Sequence, residues 1–275
     1  MDKLLFGISG LPLGKEGDKF NYSTGIEYLY DIGLDAMELP FVRSVNVTDK
    51  NRDSILKAKE KCNFYLSAHG SYYINLNAVE EEKKEKSLER IINGAEALNS
   101  VNGRSLIFHP GFYLKSSKKE TILEIKKNLK KLPYFGVDYR LETTGKGSQF
   151  GDIDELIEIC SEINTCKLCI DFSHIHARNN GSLKSYEDFA EILNKVRSGL
   201  GQEALDDLHI HISGIDYSPK GEKKHLPLKE SDFNYEACLK AFIDFNVKGC
   251  VICESPILEN DALLLKNSYL SLKNN

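Results

Sequence analysis

The sequence predicts a parallel eight-stranded (β/α)8 TIM barrel of the α/β class, and three observations lead to that prediction. Short apolar runs alternate with longer amphipathic, Lys/Glu-rich segments along the chain, the pattern of parallel strands joined by crossover helices. There are eight runs of each kind, which favours a closed barrel over an open sheet. The length of 275 residues suits one barrel, typically about 250 residues. We therefore expect a single domain over residues 1–275.

The strands are predicted where apolar residues cluster, and the helices fill the intervals between them. The predicted strands lie near 4–9, 35–39, 64–69, 105–109, 137–142, 167–171, 207–212 and 249–254. The predicted helices lie near 20–32, 50–61, 80–99, 117–131, 153–163, 186–198, 231–245 and 260–272. Asp152 or Asp154 and Ser185 are suitable N-caps for the fifth and sixth helices. The long loops all follow strands and therefore belong to the C-terminal face of the barrel, at 40–50, 70–79, 143–152, 172–185 and 213–230.

Composition excludes several classes of protein. No apolar run resembles a signal peptide or approaches the roughly 20 residues of a membrane span, so a soluble, cytoplasmic protein without membrane contact is expected, and we expect a monomer. Seven cysteines, an odd number, argue against a disulfide framework. The pairs Cys166/Cys169 and Cys250/Cys253 lie within predicted strands, where residues three apart point to opposite faces. Neither pair can chelate one ion, and we interpret them as buried core cysteines.

Each of six predicted strands ends in a residue that can bind a metal. The six are His69, His109, Glu142, Asp171, His211 and Glu254. The C-terminal ends of barrel strands open onto one face, where catalytic residues collect. One such residue is more often a capping or hydrogen-bonding group, but six at equivalent positions are hard to explain that way. They predict a hydrolytic centre with more than one metal ion.

The same reasoning extends to the neighbours of these residues. His174 follows Asp171 by three positions and His225 lies in the loop after the seventh strand, so both can join the centre. His176 and His209 are expected to hydrogen-bond the ligands rather than bind metal. Imidazole and carboxylate ligands together suit Zn²⁺, with Mn²⁺ or Fe²⁺ as alternatives. Strand alternation also predicts that the side chains two residues before each ligand point into the barrel, which would place Ser67, Arg140 and His209 there.

Several motifs in order resemble the endonuclease IV family of zinc-dependent apurinic/apyrimidinic endonucleases, which have this fold. The segment from His69 to Leu76, HGSYYINL, resembles the family's H-x-S-Y-L-I-N-L. FHPG ends at Gly111, ETTGKGS begins at Glu142, CIDFSH ends at His174 and ESP begins at Glu254. Each is similar to the corresponding family motif, and the resemblance covers residues 5–255.

The resemblance implies a role for each ligand. Glu142 would bridge two zinc ions and, with Glu254, count as a catalytic residue. His69 and His109 would complete the first site, and Asp171, His211 and Glu254 the second. A third site would use His174 and His225, but Lys223 stands where the family has an Asp. Glu222 is the nearest carboxylate that could substitute. Two or three zinc ions are therefore expected, with the third weakly held.

The resemblance also implies a substrate, double-stranded DNA that contains an abasic site. Cleavage would occur 5′ to that site by a hydroxide that the metal activates. Tyr72 and Tyr73 match the loop that wedges into the duplex, and Arg43 is placed like an inserting arginine. Lys146 and Lys223, with other basic residues of the strand-to-helix loops, would contact phosphates.

Two functions of other classes remain open. The first is a xylose-isomerase-like sugar isomerase or epimerase with one divalent ion held by Glu142, Asp171, His211 and Glu254. The second is a barrel that has lost catalysis and only binds DNA or a partner. Metal content discriminates between them, since two or three ions per chain support the nuclease, one the isomerase and none the binder.

Overall fold

Eight parallel strands close into a barrel in the computed structural model, which describes residues 2–274. The barrel strands are β1 (Leu4–Ser9), β2 (Ala36–Pro40), β3 (Tyr65–His69), β4 (Ser105–Phe108), β6 (Asp138–Glu142), β8 (Cys166–Asp171), β9 (Leu208–Ile212) and β12 (Gly249–Cys253). Their order around the barrel is β1-β12-β9-β8-β6-β4-β3-β2, so the predicted fold class is confirmed. All eight predicted strands are present to within one residue at either end.

The helices surround the barrel and bury one apolar face each against it. They are α1 (Tyr22–Asp31), α2 (Arg52–Cys62), α3 (Glu81–Asn99), α4 (Lys118–Leu129), α5 (Ile153–Glu162), α6 (Phe172–Arg178), α7 (Tyr186–Leu200), α8 (Gln202–Leu205), α9 (Tyr235–Asp244) and α10 (Glu259–Asn274). Capping boxes at Asn21, Ser117, Asp152 and Ser185 satisfy free N–H groups of the first turns. No helix among the described residues is long and apolar enough to cross a membrane.

The loops on the C-terminal face contain more structure than the sequence predicted. The interval 172–185, expected as a loop, begins with α6 directly after β8. The interval 213–230 contains an antiparallel hairpin of β10 (Gly214–Ser218) and β11 (Gly221–Leu226), followed by a short 3₁₀ turn. A second small pair, β5 (Gly111–Phe112) with β7 (Gln149–Phe150), ties two active-face loops together. These elements hold the loops over the mouth of the barrel.

The interior of the barrel is layered, and its upper layers are polar. Ala36, Tyr65, Cys250 and Ile252 form an apolar cluster of their own, apart from the main core between strands and helices. Ser67, His209 and Arg140 are also buried, with Ser67 and His209 in contact with Glu38 and Arg140 bonded to Ser105, so they point inward as strand alternation predicted. Cys250 and Cys253 belong to different clusters, which confirms that the two cysteines face opposite sides of their strand.

Candidate metal centre

Glu142 lies at the middle of the strand ends and contacts histidines from three other strands. Its Oε2 is 2.9 Å from His69 Nε2 and 2.9 Å from His109 Nε2, and its Oε1 is 3.1 Å from His211 Nδ1. The side chain is 1% exposed. The strands that supply these histidines are direct neighbours of the Glu142 strand or one removed from it, so the closed barrel itself brings the four residues together. The two carboxylate oxygens face two different sets of groups.

Two ligand sets share this carboxylate. The ligand atoms of His69, His109 and Glu142 lie within 4.8 Å of one another, and so do those of Glu142, Asp171, His211 and Glu254. The six residues that the sequence singled out are thus brought together. The remaining two candidates, His174 and His225, form a third set with Asp171.

Asp171 has one oxygen fixed and one available. It is the last residue of β8 and the N-cap of α6, so Oδ1 accepts a hydrogen bond from His174 N at 2.7 Å. Oδ2 is buried, and no hydrogen-bond partner for it is found in the described part of the chain. It lies 3.3 Å from His174 Nδ1. The immediate start of a helix after the strand therefore aims one carboxylate oxygen into the centre.

Three of the histidines are held in the same way. Nδ1 of His69 lies 3.0 Å from Gly70 O, Nδ1 of His174 lies 3.0 Å from Thr143 O, and Nδ1 of His225 lies 3.0 Å from Glu254 O. Since a carbonyl oxygen can only accept, Nδ1 carries the proton in each case. Nε2 of each ring is therefore the nitrogen that can bind a cation, either a proton or a metal ion, which is the usual arrangement of a metal-binding histidine.

The charges of the centre are strongly coupled. Burial opposes charge on His69 and His174, but the carboxylates of Glu142 and Asp171 outweigh it and raise the pKa of both rings to about 9. Burial likewise opposes charge on Glu142, and the histidines around it hold its pKa well below the usual range. The pKa of Asp171 is raised by burial and by the neighbouring carboxylates. Cations, whether protons or metal ions, are therefore required to offset the repulsion between these buried carboxylates.

A β-bulge brings Glu222 to the centre. In the β10–β11 hairpin, Tyr217 pairs with Glu222 and Asp216 with Lys224, so Lys223 is one extra residue without an opposite partner. An extra residue reverses the alternation beyond it, which places Glu222 and His225 on the same face although they are three apart. Both line the central cavity. Glu222 Oε2 lies 3.6 Å from His174 Nε2.

Lys223 itself points elsewhere. Its side chain is 54% exposed and its Nζ lies 3.6 Å from Asp216 Oδ1. The carboxylate of this hairpin that lines the cavity is that of Glu222, one residue before Lys223. Gly145 makes room for it, because a Cβ there would lie 2.7 Å from the Cβ of Glu222.

Glu38 is a polar residue of this region that the sequence analysis missed. It lies in β2, is fully buried, and accepts a hydrogen bond from Ser67 Oγ at 3.0 Å. Its Oε2 lies 2.9 Å from His209 Nε2, and its Oε1 3.1 Å from His211 Nε2. Burial opposes its charge, but the two histidines hold its pKa below the usual range. A middle-of-strand Glu carries no spacing signal that would have identified it.

The other two histidines have structural partners. His209 lies in the layer below the centre, and burial lowers its pKa to about 4 against the opposing effect of Glu38, so the ring is neutral. His176 Nδ1 accepts from Leu183 N at 3.0 Å, and its Nε2 lies 3.1 Å from Asp232 Oδ1. Neither partner of His176 is a candidate metal ligand, so the expectation that His176 hydrogen-bonds the ligands is wrong, and its ring instead connects α6 to the loops beside it.

The residues predicted to contact DNA lie around the mouth. Tyr72 and Tyr73 are 65% and 67% exposed, and the Tyr72 ring is 6.0 Å from that of His69. Lys146 lines a cavity with His69 and Tyr72, and Arg43 is exposed in the loop that follows β2. Exposed aromatic and basic side chains thus rim a polar site.

Arg178, one of the basic residues on this face, has a structural role. Its Nη1 donates to Thr144 Oγ1, Lys146 O and Gln149 O at 2.9, 2.6 and 3.0 Å. These bonds fix the loop that follows β6. The guanidinium is therefore occupied by hydrogen bonds within the protein, and it fixes the shape of the mouth and does not serve as a phosphate contact.

A cavity of about 280 Å³ opens above the ligands and is lined by His69, His109, Glu142, His174, Glu222, His225 and Glu254. A larger cavity of about 740 Å³ lies at the opposite end of the barrel. The one Asp that lines this larger cavity, Asp35, is already paired with Lys3 and Lys266. The volume of a cavity therefore does not indicate which end of this barrel holds the functional site. The chemistry of the ligand groups locates the site at the smaller cavity.

The residues present fit divalent metal ions. His109 Nε2 lies 2.9 Å from Glu142 Oε2 yet makes no hydrogen bond there, and Asp171 Oδ2 is likewise buried without one among the described residues. Buried polar atoms of this kind are rarely left unpartnered. Mixed imidazole and carboxylate donors suit Zn²⁺, Mn²⁺ or Fe²⁺. Two of the candidate ligand sets share Glu142.

Comparison with known proteins gives a family and two kinds of relatives. A family model described as Xylose isomerase-like TIM barrel matches residues 26–273. A Methanocaldococcus jannaschii protein described as uncharacterized is 48% identical over 275 residues, 98% of each chain. A Campylobacter concisus protein named Probable endonuclease 4 is 30% identical over 166 residues, 57% of this chain and 58% of that protein.

Solved structures of an epimerase-like protein and of an endonuclease share the fold. A D-tagatose 3-epimerase-like protein superposes with a TM-score of 0.76 at 19% identity, covering 98% of both chains. Endonuclease IV from Thermus thermophilus superposes with a TM-score of 0.74 at 18% identity, covering 98% of this chain and 99% of that one. At these identities the superpositions establish the barrel and no specific activity.

Proposed function

We propose that this chain, which belongs to the xylose isomerase-like TIM barrel family, is a metal-dependent endonuclease that hydrolyses DNA 5′ to an abasic site. The observation that carries the proposal is the position of Glu142 between two ligand sets. Its Oε2 faces His69 and His109, and its Oε1 faces His211. A one-metal enzyme needs only the second set, whereas a phosphodiesterase that clamps a phosphate between two ions needs both.

The residues of the centre would divide the work between them. Bound divalent ions would supply charge neutralisation of the phosphate and a lowered pKa for an attacking water molecule. Glu142 would hold the two cation positions close together, and Glu254, partly exposed at the cavity, would orient the water. His174 and His225, with Asp171 and the nearby Glu222, would form a third cation position. We propose Zn²⁺ as the metal, with Mn²⁺ and Fe²⁺ compatible with the same donors.

The rim supports damaged double-stranded DNA as the partner. Exposed aromatic rings such as Tyr72 and Tyr73 can stack on bases that have lost a neighbour. Arg43, Lys146 and the more distant Lys223 can neutralise backbone phosphates, which gives positioning without sequence specificity. Turning out a nucleotide costs least where no base pair exists. A small polar cavity with an aromatic and basic rim therefore suits an abasic nucleotide.

The direct experiment uses a labelled duplex with one abasic-site analogue. We expect the purified protein to nick it on the 5′ side of the lesion and to leave an undamaged duplex of the same sequence intact. Treatment with a chelator should abolish nicking, and added Zn²⁺ should restore it. A protein with two or more ions per chain and no nicking of either duplex would overturn the proposal.

A sugar isomerase or epimerase is the second candidate, and one observation favours it. Glu142, Asp171, His211 and Glu254 form a complete four-ligand set without the remaining histidines, and Glu142 and Glu254 could then move protons at carbon. An epimerase-like protein is also among the structural neighbours. One ion per chain, together with exchange of sugar carbon-bound hydrogen in D₂O, would favour this function over the nuclease.

A further inference from the structure

His211 differs from the other histidines of the centre in the way its ring is held. His69, His174 and His225 each anchor Nδ1 on a backbone carbonyl and present Nε2. His211 instead presents Nδ1, which lies 3.1 Å from Glu142 Oε1 and 3.7 Å from Glu254 Oε1. Its Nε2 points down the barrel. The ring of His211 therefore faces the centre with Nδ1, whereas the other three rings face it with Nε2.

The partner of this inverted ring is a buried carboxylate. Nε2 of His211 lies 3.1 Å from Glu38 Oε1 and 3.3 Å from Oε2. Glu38 and His211 are both fully buried, so solvent cannot replace either one. An N–H that donates to a carboxylate is a stronger and more polarising bond than one that donates to a carbonyl.

Glu38 is itself held in place from two sides. Ser67 Oγ donates to Oε2 at 3.0 Å from the adjacent strand β3, and His209 Nε2 lies 2.9 Å from the same oxygen. Ser67 is the cross-strand neighbour of Glu38, and His209 lies one layer below His211 on β9. The carboxylate thus has a fixed orientation, which is what a residue needs in order to orient another.

We propose that Glu38 is a positioning residue that selects the Nδ1-coordinating tautomer of His211 and increases its basicity toward the second metal ion. The inference rests on the proposed metal centre but not on its substrate. A carboxylate behind a metal-binding imidazole fixes the ring and raises ligand basicity, and its loss costs about 10–100-fold in metal affinity. Among the described residues no hydrogen bond or ion pair joins Glu38 to His69, His109 or Glu142, and Glu38 acts on that set only as a charge near His69. The metal affinity of that set should therefore change far less.

The test is a metal titration of Glu38→Gln against the unmodified protein with a competing chromogenic chelator. The amide keeps the shape of the carboxylate but not its charge. We expect one ion to bind about 10–100-fold more weakly and the other to keep its affinity. With Co²⁺ in place of zinc, the visible absorption of the weakened site should change as well. Glu38→Asp should restore part of the affinity.

Ser67→Ala is the matched control, because it removes a contact of Glu38 in the same buried layer without touching His211. It should affect metal affinity far less than Glu38→Gln. Equal weakening of all ions in Glu38→Gln, or no weakening of any, would overturn the inference. These readouts concern metal alone, so absence of nuclease activity would leave them unaffected.

A measurement on the unmodified protein covers the case in which Glu38→Gln does not fold. Nitrogen-15 NMR of zinc-loaded protein with labelled histidine distinguishes protonated from metal-bound ring nitrogens, and His211→Gln identifies the signal. We expect His211 to carry its proton on Nε2 and its metal on Nδ1, opposite to His69. Zinc on Nε2 of His211 would exclude the positioning role of Glu38.

Discussion

Replacing Glu142 by Gln removes the one charge that both ligand sets share. Glu142 lies within 3.1 Å of three imidazoles, through two oxygens that face different sets. At an effective dielectric constant of 20, a unit charge pair about 4 Å apart is worth about 4 kcal/mol. Loss of even half of that, about 2 kcal/mol, slows a reaction roughly 30-fold. Since two ions would be affected, we expect Glu142→Gln to reduce nicking by more than that factor.

The assay is single-turnover nicking of an abasic-site duplex at saturating protein, with metal content measured on the same sample. Glu155→Gln is the control, because Glu155 is also buried but bonds Tyr113 OH and belongs to no ligand set. Circular dichroism and thermal melts establish that both variants fold. Retention of more than about a tenth of the wild-type rate, a loss under ~1.4 kcal/mol, would refute the bridging role of Glu142.

Three other perturbations address the rim, the charges and the third cation position. Arg43→Gln with Lys146→Gln should weaken binding of the abasic duplex and lower the slope of log affinity against log salt by about one for each lost phosphate contact. Metal-free protein should lose stability as pH rises from about 6.5 to 9, measured by thermal melts in chelator. The pKa of His69 and of His174 is raised to about 9, so their protonated rings stabilise the fold fully below about pH 6.5. This stabilisation is lost as the pH rises to about 9 and the rings lose their protons. Glu222→Gln should weaken binding of one metal ion, measured by metal analysis after mild chelation.

Each of these has a result that would count against it. An unchanged salt slope would mean that Arg43 and Lys146 do not touch the backbone of DNA. Zinc-loaded protein should not lose stability between about pH 6.5 and 9. An equal loss with and without zinc would mean that His69 and His174 do not cause the pH dependence. Lys223→Gln is the control for Glu222, because Lys223 lies on the bulge and faces Asp216. Equal effects of both changes would remove Glu222 from the third cation position.

Much of the fold could be predicted because it depends on periodicity. The alternation of apolar runs and amphipathic segments determines parallel strands with crossover helices, and the eight strands are found to within one residue. The clustering of the candidate ligands could be predicted because strand ends need no knowledge of register. His69 and Asp171 are the last residues of their strands, whatever the tilt of the barrel.

Other features of the site depend on strand register and tertiary contacts, which no local sequence pattern reveals. Glu38 lies in the middle of β2, and only the closed barrel brings it under His211. Glu222 and His225 share one face because of the bulge at Lys223, so the sequence could name Glu222 as the nearest carboxylate but could not show that it lines the cavity. The helix α6 was missed because Asp171 was interpreted only as a candidate ligand, whereas its Oδ1 caps the helix and its Oδ2 remains buried at the candidate centre.

An anomalous difference map of zinc-loaded crystals at the zinc absorption edge tests most directly whether Glu142 lies between two metal ions. We expect one peak among His69, His109 and Glu142 and a second among Glu142, Asp171, His211 and Glu254, with one carboxylate oxygen facing each. A single peak confined to the second set, in protein with zinc in excess, would contradict the two-metal centre and favour the one-metal isomerase or epimerase.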